Sequence, residues 1–418
     1  MTSNHILIGN GRLPFDVLIH VFDYYSEHET TVQPLETLLL VCKAWNKAAC
    51  ERPSLWTTYK IRLGDKKTTK RWLSRIHLRL ERSGSHTPLH IDITSPPDKL
   101  LVKDSWFLGL SDMKTNIRGS VDSYSALKLL EILAGKGGSL CSRWESLRLL
   151  LAPGFRIGMG EERIILPLTY PMPALKLLHL SLRCQYSEWV SPSMKRVLFP
   201  ELPSLDSIIL GHFYLENYPD MSHAREITLH KGRSLRGRAP QNGLCNAPNV
   251  EALSIFFSPF FLDLHNIYPT LRRLILTGPK LHYGLWAISM PRLEELSLRY
   301  FTHEILGQAA NLKNIDQVHT IHVTGPARAQ LLNERFNSSI AIGRLLGACK
   351  GLQTLKADEY ILSLLFGDWR DYLQPTSSLR IFLVKGSGED SEVNLSDLNS
   401  TPEWKRVVEL ANSSEADT

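Results

Sequence analysis

Cysteine, long apolar runs and a strong excess of one charge are all lacking in this sequence. Its six cysteines, in 418 residues, lie far apart and form no CxxC pair, which excludes the dense disulfide framework of small secreted domains. The longest apolar run covers only residues 38–42, far short of the roughly 20 residues that cross a bilayer. A net charge of +6 over the whole chain is too weak to indicate a nucleic-acid or membrane surface. Residues 1–10 also lack the pattern of a signal peptide. We therefore expect a protein of the cytoplasm or nucleus, with reduced cysteines that mostly pack in the core.

Enzyme motifs are absent as well. The glycine-rich segment at residues 134–139 departs from the GxxxxGK[ST] pattern of a phosphate-binding loop, and we interpret it as a turn that ends a helix. No GxSxG motif occurs. His319 and His322 are three residues apart, and on a strand such residues face opposite sides, which disfavours a shared metal ion. We therefore predict no catalytic residue, no metal site and no cofactor.

Two short helices are predicted near the N-terminus. Phe15, Leu18, Ile19 and Phe22 follow the i, i+3, i+4, i+7 spacing of an apolar helical stripe. Residues 35–49 resume the pattern and predict one second helix, with an apolar arc that includes Leu35, Leu38, Val41, Cys42, Trp45 and Ala49. Such a small helical unit covers only one side of itself, so its remaining apolar surface requires a partner.

A basic segment follows at residues 66–82. Its apolar face consists of Trp72, Leu73, Ile76 and Leu80, and most of its Lys and Arg residues, Arg79 among them, lie elsewhere. We interpret residues 61–86 as an amphipathic connector helix. The run at residues 66–71 is either a solvated helix face, which we favour, or a nuclear-import or acid-binding patch. Alternation of Leu89, Ile91 and Ile93 with polar residues then predicts a half-buried strand.

Most of the remaining chain repeats one short phrase. Pro-x-Leu-x-x-Leu-x-Leu, in which an apolar residue can replace a leucine, occurs five times, and five weaker copies lack the proline. We number the first leucine of each copy as position one; it falls at 144, 175, 205, 224, 250, 271, 293, 318, 352 and 379, about 26 residues apart on average. Positions four and six alternate on a short strand, and one such turn cannot bury its apolar edge unless its neighbours stack.

The period and pattern resemble the leucine-rich repeat. The asparagine or cysteine of that motif is missing at position nine, and some intervals exceed 30 residues. The fold class that we predict is therefore mixed α/β: a small N-terminal helical unit at residues 11–60, the connector, and an irregular leucine-rich-repeat solenoid with a curved parallel sheet at residues 87–385. Residues 386–418 are expected to form an acidic mobile loop up to 401, a short helix at 402–411 and a tail.

The N-terminal unit resembles an F-box. LPFDVLIHVF at residues 13–22 fits its first helix, LLLVCKAWNKAA at residues 38–49 fits its central L-x-x-VC-(K/R)-x-W helix, and PSLW at residues 53–56 fits its closing tryptophan. Residues 72–93 also resemble the linker of fungal F-box proteins whose remainder is a degenerate leucine-rich array. One departure is the segment at residues 26–33, which is longer than in compact family members.

The resemblance implies a substrate receptor of an SCF-type (cullin-RING) ubiquitin ligase. Its F-box docks on a Skp-type adaptor and through it on a cullin, while the array recruits a protein substrate. Carried over by matching positions, the residues that form the adaptor-facing and core surface are Leu13, Pro14, Leu18, Ile19, Phe22, Val41, Cys42, Lys43 and Trp45. The division of these residues between the two roles stays open at this point.

The substrate surface is expected on the strand face that carries positions three, five and seven. The candidate residues there are His179, Ile209, Phe256, Arg273, Ile275, Glu295 and Arg299. Apolar anchors between polar neighbours suit protein binding; the alternative is that a loop or the tail of the chain covers this face.

The leading hypothesis is a non-catalytic receptor that holds a target near the ubiquitin-loading enzyme. One rival is a stand-alone leucine-rich scaffold that binds a protein, or RNA through residues 66–82, although the charge gives little reason to expect nucleic acid. An enzyme of unknown type is the third hypothesis and would need a deep pocket lined by titratable groups.

Overall fold

The chain forms two compact units, Met1–Ser204 and Leu205–Thr418, and each is described by itself. The structure is a computed structural model. The residues that it describes are 6–8, 11–13, 15–27, 35–63, 66–94, 123–151, 166–182, 199–200, 202–211, 219–230, 247–256, 268–278, 289–299, 303–325, 335–358, 361–362, 379–384 and 390–393.

The first unit begins with a hairpin and a cluster of short helices. Strands β1 (Ile6–Ile8) and β2 (Gly11–Leu13) pair antiparallel. The helical segments that follow are α1 (Phe15–Glu27), a 3-10 helix (Leu35–Leu40), α2 (Lys43–Cys50) and a second 3-10 helix (Pro53–Trp56).

The single helix predicted over residues 35–49 is wrong, because the backbone breaks at Cys42. Its φ of −163° and ψ of 169° are extended, so the 3-10 helix ends at Leu40 and α2 begins only at Lys43. The side-chain Nδ2 of Asn46 donates to the Leu39 carbonyl at 3.1 Å and ties the two segments together across the break. The break turns Val41 and Cys42 outward, so they do not join an apolar arc.

The first unit continues with alternating strands and helices. They are β3 (Thr58–Arg62), α3 (Lys66–Arg82), β4 (Leu89–Thr94), α4 (Ser123–Ala134), β5 (Trp144–Leu151), a 3-10 helix (Leu166–Thr169) and β6 (Leu177–Leu182). Strands β3 to β6 pair parallel in chain order. The sheet thus begins with β3, which crosses the predicted boundary at residue 60 between the helical unit and the connector.

The turn predicted after residue 134 is present. Helix α4 ends at Ala134, and Gly135 adopts a φ of +72°, in the left-handed region that favours glycine. Gly138, at a φ of +81°, lies so close to the ring of Tyr170 that a Cβ atom there would approach within 2.2 Å of it. This segment is therefore a packed turn.

The second unit is built from strands β7 to β15 and two helices. They are β7 (Ser207–Gly211), β8 (Glu226–His230), β9 (Ala252–Phe256), β10 (Arg273–Thr277), β11 (Glu295–Arg299), α5 (His303–Ala309), β12 (Thr320–Thr324), α6 (Arg335–Ala348), β13 (Thr354–Ala357), β14 (Arg380–Val384) and β15 (Asp390–Val393). Within this unit, β7 to β14 pair parallel in chain order, and β15 pairs antiparallel to β14. Four strands of the first unit and eight of the second therefore pair parallel, which gives twelve parallel strands in total. Together with the N-terminal helical region, these strands make the fold mixed α/β.

Every copy of the repeated phrase coincides with a strand, and the proline has a local role. The N–H of Leu175 donates to the carbonyl of Met172 at 3.0 Å, which closes a turn with Pro173 at its second position, where the fixed φ of proline suits the turn. The same bond closes the turns that contain Pro248, Pro269 and Pro291. The residue before the proline is buried in each copy, a position that the sequence pattern did not single out.

Two details at the end of the second unit differ from expectation. Arg380 pairs with Thr354, which is a position-three residue, so the last copy is offset by one residue from the predicted register. Ile381 and Leu383 are accordingly its buried positions four and six.

The mobile loop predicted over residues 386–401 contains a strand, because the edge of β14 offers backbone partners to Asp390–Val393, which form β15. The helix predicted at 402–411 lies outside the described residues.

Candidate functional site

A small apolar core holds the N-terminal helical segments together. Phe22 of α1 meets Trp45 of α2 edge to face, with ring centroids 5.4 Å apart, and Leu18 lies one turn earlier on α1. The remaining buried members are Leu35, Leu38, Ala48, Ala49, Leu55 and Trp56. A core of this size draws one face of each short segment inward and leaves the opposite faces open.

Large apolar side chains are exposed on the outside of the same helical segments. Val17 is 41% exposed, Tyr24 65%, Leu40 83% and Val41 55%. Six large apolar residues are exposed in the described part of the chain, and four of them lie between residues 15 and 50. Such a concentration of apolar surface is typical of a region that another protein covers.

Residues 11–62 match the family model described as F-box-like. This segment is an F-box-like domain. No curated protein matches the chain. The match covers β2, α1, α2, both neighbouring 3-10 helices and β3, and thus the whole of the small core described above.

The nine residues predicted for the F-box-like domain fall into two groups. Leu18, Phe22 and Trp45 are buried in its core, and Ile19 is half-buried. Exposed on the surface are Val41, Cys42 and Lys43. Leu13 is the last residue of β2, and Pro14 lies outside the described residues.

Three exposed apolar residues of the F-box-like domain were missed by the sequence interpretation. Val17 and Tyr24 are seven residues apart, which places them on one face of α1, away from the stripe that includes Leu18 and Phe22. That spacing was a usable signal. Leu40 carried none, because its exposure follows from the backbone break at Cys42.

Polar contacts fix the end of the F-box-like domain against α1. Arg52 donates from Nη2 to the Asp23 carboxylate at 2.9 Å and from Nη1 to the Ile19 carbonyl at 3.4 Å. The indole Nε1 of Trp56 donates to the carbonyl of Ala49 at 2.7 Å, in the core. These bonds hold the closing tryptophan in place, so the segment that leads into β3 has a fixed direction.

A buried ion pair joins the F-box-like domain to α3. The guanidinium of Arg79, whose side chain is fully buried, donates from Nε to Oε1 of Glu36 at 2.8 Å and from Nη2 to Oε2 at 3.1 Å. This finding corrects the expectation that Arg79 lies on the solvated side of the connector. Burial raises the pKa of Glu36, but the hydrogen bonds and charge of Arg79 outweigh it, and the pKa lies below its ordinary value.

Helix α3 is shorter than the connector helix predicted over residues 61–86, because residues 61 and 62 belong to β3 and the helix ends at Arg82. It contacts both the F-box-like domain and the sheet of the first unit. The guanidinium of Arg82 lies 4.7 Å from the ring centre of Trp56, in a cation–π contact. Just after α3, Ser83 accepts a hydrogen bond from Nη2 of Arg143 at 2.9 Å. Tyr59 of β3 is fully buried beside them, and burial raises its pKa to about 12. Within the first unit, the connector is therefore packed on both sides.

The predicted substrate-binding residues lie on one face of their strands, within each unit. Arg273 is exposed, and the other six are half-buried: His179 in the first unit, and Ile209, Phe256, Ile275, Glu295 and Arg299 in the second. In the second unit the rings of Phe256 and His230 stack, with their centroids 4.5 Å apart. Burial lowers the pKa of His230, which keeps that ring neutral near pH 7.

Part of this strand face is closed. Thr277 and Ser297 are fully buried, and Ser181 and Gly211 are buried as well. Nε of Arg299 donates to the Ser297 hydroxyl at 3.2 Å, so the arginine itself covers that position. Ser181, Gly211 and Thr277 stand at position seven and Ser297 at position five, so the face is closed to a partner at these places.

A groove runs across the starts of β7 to β11 in the second unit. Its lining is almost entirely charged: Asp206, Arg225, Glu226, Glu251, Ala252, Arg272, Arg273, Glu294 and Glu295. Three ion pairs cross it, Arg225 with Asp206 at 3.2 Å, Arg272 with Glu294 at 3.7 Å and Arg273 with Glu226 at 3.7 Å. These residues occupy positions two and three of successive repeats.

The thiols divide by environment. Cys141 and Cys349 are buried, and burial raises the pKa of both to about 12. Cys42 and Cys50 are exposed, so the expectation of core cysteines holds for only two of the four that the structure describes.

Over the described ranges, no cluster of three His, Cys, Asp or Glu side chains has the arrangement of a metal site. Among the helices described, none is long and apolar enough to span a membrane.

Proposed function

We propose that this protein is the substrate-recognition subunit of an SCF-type ubiquitin ligase. The F-box-like domain binds a Skp-type adaptor, and through it a cullin, and the repeated strands bind a target protein. The observation that carries the proposal is the exposure of four apolar side chains, those of Val17, Tyr24, Leu40 and Val41, on a segment that matches the F-box-like family.

The repeated strands support the second half of the proposal. Ten copies of one phrase coincide with parallel strands, and the turn that closes at position one recurs between them. We propose that they form a degenerate leucine-rich-repeat array, as in the fungal F-box proteins that the sequence resembles. Rows of side chains at positions three and five then offer a broad face to a protein substrate.

The proposed role is non-catalytic and belongs to the cytoplasm or nucleus. A receptor that holds its target beside the ubiquitin-loading enzyme accelerates transfer by proximity and needs no reactive side chain of its own. The RNA-binding rival has less support, since two arginines of the basic segment are already engaged, Arg79 with Glu36 and Arg82 with Trp56.

Co-expression with a Skp-type adaptor tests the proposal. The wild-type chain should co-purify with the adaptor at moderate salt, because the contact is mainly apolar. The Leu40→Asp/Val41→Asp variant should lose it, since two charges would be buried in the contact. Leu78→Asp is the matched control, because Leu78 is an exposed apolar residue of α3 outside the F-box-like domain. Wild-type protein that fails to bind the adaptor, or a double variant that binds it as well as the control does, would overturn the proposal.

A further inference from the structure

We propose that the charged groove of the second unit binds an extended segment of a protein partner that carries lysine or arginine residues. The proposal rests on the proposed function and names the class of target that the array would recognise. It depends on the groove's regular backbone, its imbalance of charge and its volume.

The backbone of the groove is regular and fully used. The carbonyl of Asp206 accepts hydrogen bonds from the N–H groups of Arg225 and Glu226, at 2.8 and 3.0 Å. In the following repeats, the carbonyls of Arg225, Glu251 and Arg272 likewise accept two backbone hydrogen bonds each. A partner therefore meets side chains and few free backbone groups, and these side chains are spaced by one strand, about 4.8 Å.

The charges of the groove do not balance. Five carboxylates and three guanidinium groups line it, which leaves a net charge of −2. Each guanidinium is already within an ion pair with Asp206, Glu294 or Glu226. Glu251 and Glu295 have no ion pair with any residue that the structure describes. A cationic side chain would supply the charge that these two carboxylates lack.

The groove also has room for such a side chain. Ala252 stands in register between Glu226 and Arg273, and the ion pair of these two residues, at 3.7 Å, spans its methyl group. Around this ion pair the groove, which is open to solvent, has a volume of about 310 Å³. Apolar stems of lysine or arginine can lie in this space while their charged ends reach the carboxylates.

The spacing of the two unpaired carboxylates suits an extended partner. Glu251 immediately precedes β9, and Glu295 begins β11, two strands away and one residue further along the repeat. Two strand spacings and this one-residue offset place their backbones about 10 Å apart. In a polyproline II segment, residues three apart lie on the same side and are about 9.3 Å apart. A segment with basic residues at every third position therefore matches the separation of Glu251 and Glu295 to within about 1 Å.

A competing interpretation is that these charges only stabilise the stacking of neighbouring strands. Fluorescence anisotropy with the full chain at low ionic strength separates the two. The probe is a labelled peptide GKPPKPPKG, and its counterpart GEPPEPPEG is the negative control. We expect the lysine peptide to bind, and the Glu251→Gln/Glu295→Gln variant to weaken binding about tenfold, at about threefold per exposed charge.

Two further variants sharpen the result. Glu81→Gln/Glu131→Gln removes the same charge from exposed helix positions of the first unit and should bind the lysine peptide as the wild type does. Glu251→Lys/Glu295→Lys should prefer the glutamate peptide. The inference is overturned if the folded wild type does not bind the lysine peptide, or if both glutamine variants bind it equally. Adaptor co-purification of the same proteins reports on the proposed function separately.

Discussion

Arg79 and Glu36 form a two-pronged ion pair that joins the connector helix α3 to the 3-10 helix of the F-box-like domain. Both hydrogen bonds are short, 2.8 and 3.1 Å, and the arginine is fully buried. Arg79 also lies 4.8 Å from the ring centre of Trp72 on its own helix. Because a guanidinium and a carboxylate meet in only a few geometries, the pair restricts the angle between the two elements.

Removing one partner of this pair should be far more costly than removing both. Glu36→Ala leaves Arg79 buried without its counter-charge, and we expect a loss of about 3–5 kcal/mol in the free energy of unfolding. Glu36→Leu/Arg79→Met replaces both charges with apolar side chains of similar size and should lie within about 2 kcal/mol of the wild type. Urea denaturation of the three proteins measures this. Equal losses for the single and double variants would show that the pair is not coupled.

The same pair predicts a loss of stability in acid. Because the pKa of Glu36 is lower in the folded protein than its ordinary value of 4.5, the folded state binds this proton less readily than the unfolded state. The contribution of the pair is therefore complete above about pH 4.5 and declines as the pH falls through the folded-state pKa. Urea midpoints of wild type and Glu36→Gln between pH 3 and 7 should converge at the acid end. A constant difference across that range would contradict the prediction.

Two neighbouring glycines provide a matched test of packing in the turn after α4. Gly137 and Gly138 both have a positive φ, at +63° and +81°, so alanine at either site is strained by about 1 kcal/mol. Only at Gly138 would the added Cβ meet the ring of Tyr170. Gly138→Ala should therefore lower the melting temperature clearly more than Gly137→Ala does. Equal shifts would mean that Tyr170 does not pack on this turn.

Cysteine reactivity offers a direct probe of the proposed adaptor contact. Cys42 and Cys50 are exposed, whereas burial raises the pKa of Cys141 and Cys349 to about 12 and keeps their thiols protonated. N-ethylmaleimide should label the first pair within minutes and the second only on unfolding, as read by peptide mass spectrometry. Bound adaptor should protect Cys42. Labelling of Cys42 at the same rate with and without adaptor would contradict its place in the contact.

The strands could be predicted from the sequence because each copy of the repeat reports the same two buried positions. Leu274 and Leu276, for example, are buried as their alternation indicates. Structural features that depend on a residue far away in the chain leave no repeating pattern in the sequence. Arg79 is buried because Glu36, 43 residues away, neutralises it. The exposure of Leu40 depends on one backbone break, and β15 forms because β14 has an open edge.

Strand β3 belongs both to the segment that matches the F-box-like family and to the sheet of the first unit, where it pairs with β4 along its length. A fragment cut at residue 62 would keep the strand and lose its neighbour, leaving Tyr59 and Ile61 without the layer that buries them. It would also separate Glu36 from Arg79 and Trp56 from Arg82. Transplanting this F-box-like domain onto another protein therefore requires residues up to at least Thr94, the end of β4, to travel with it.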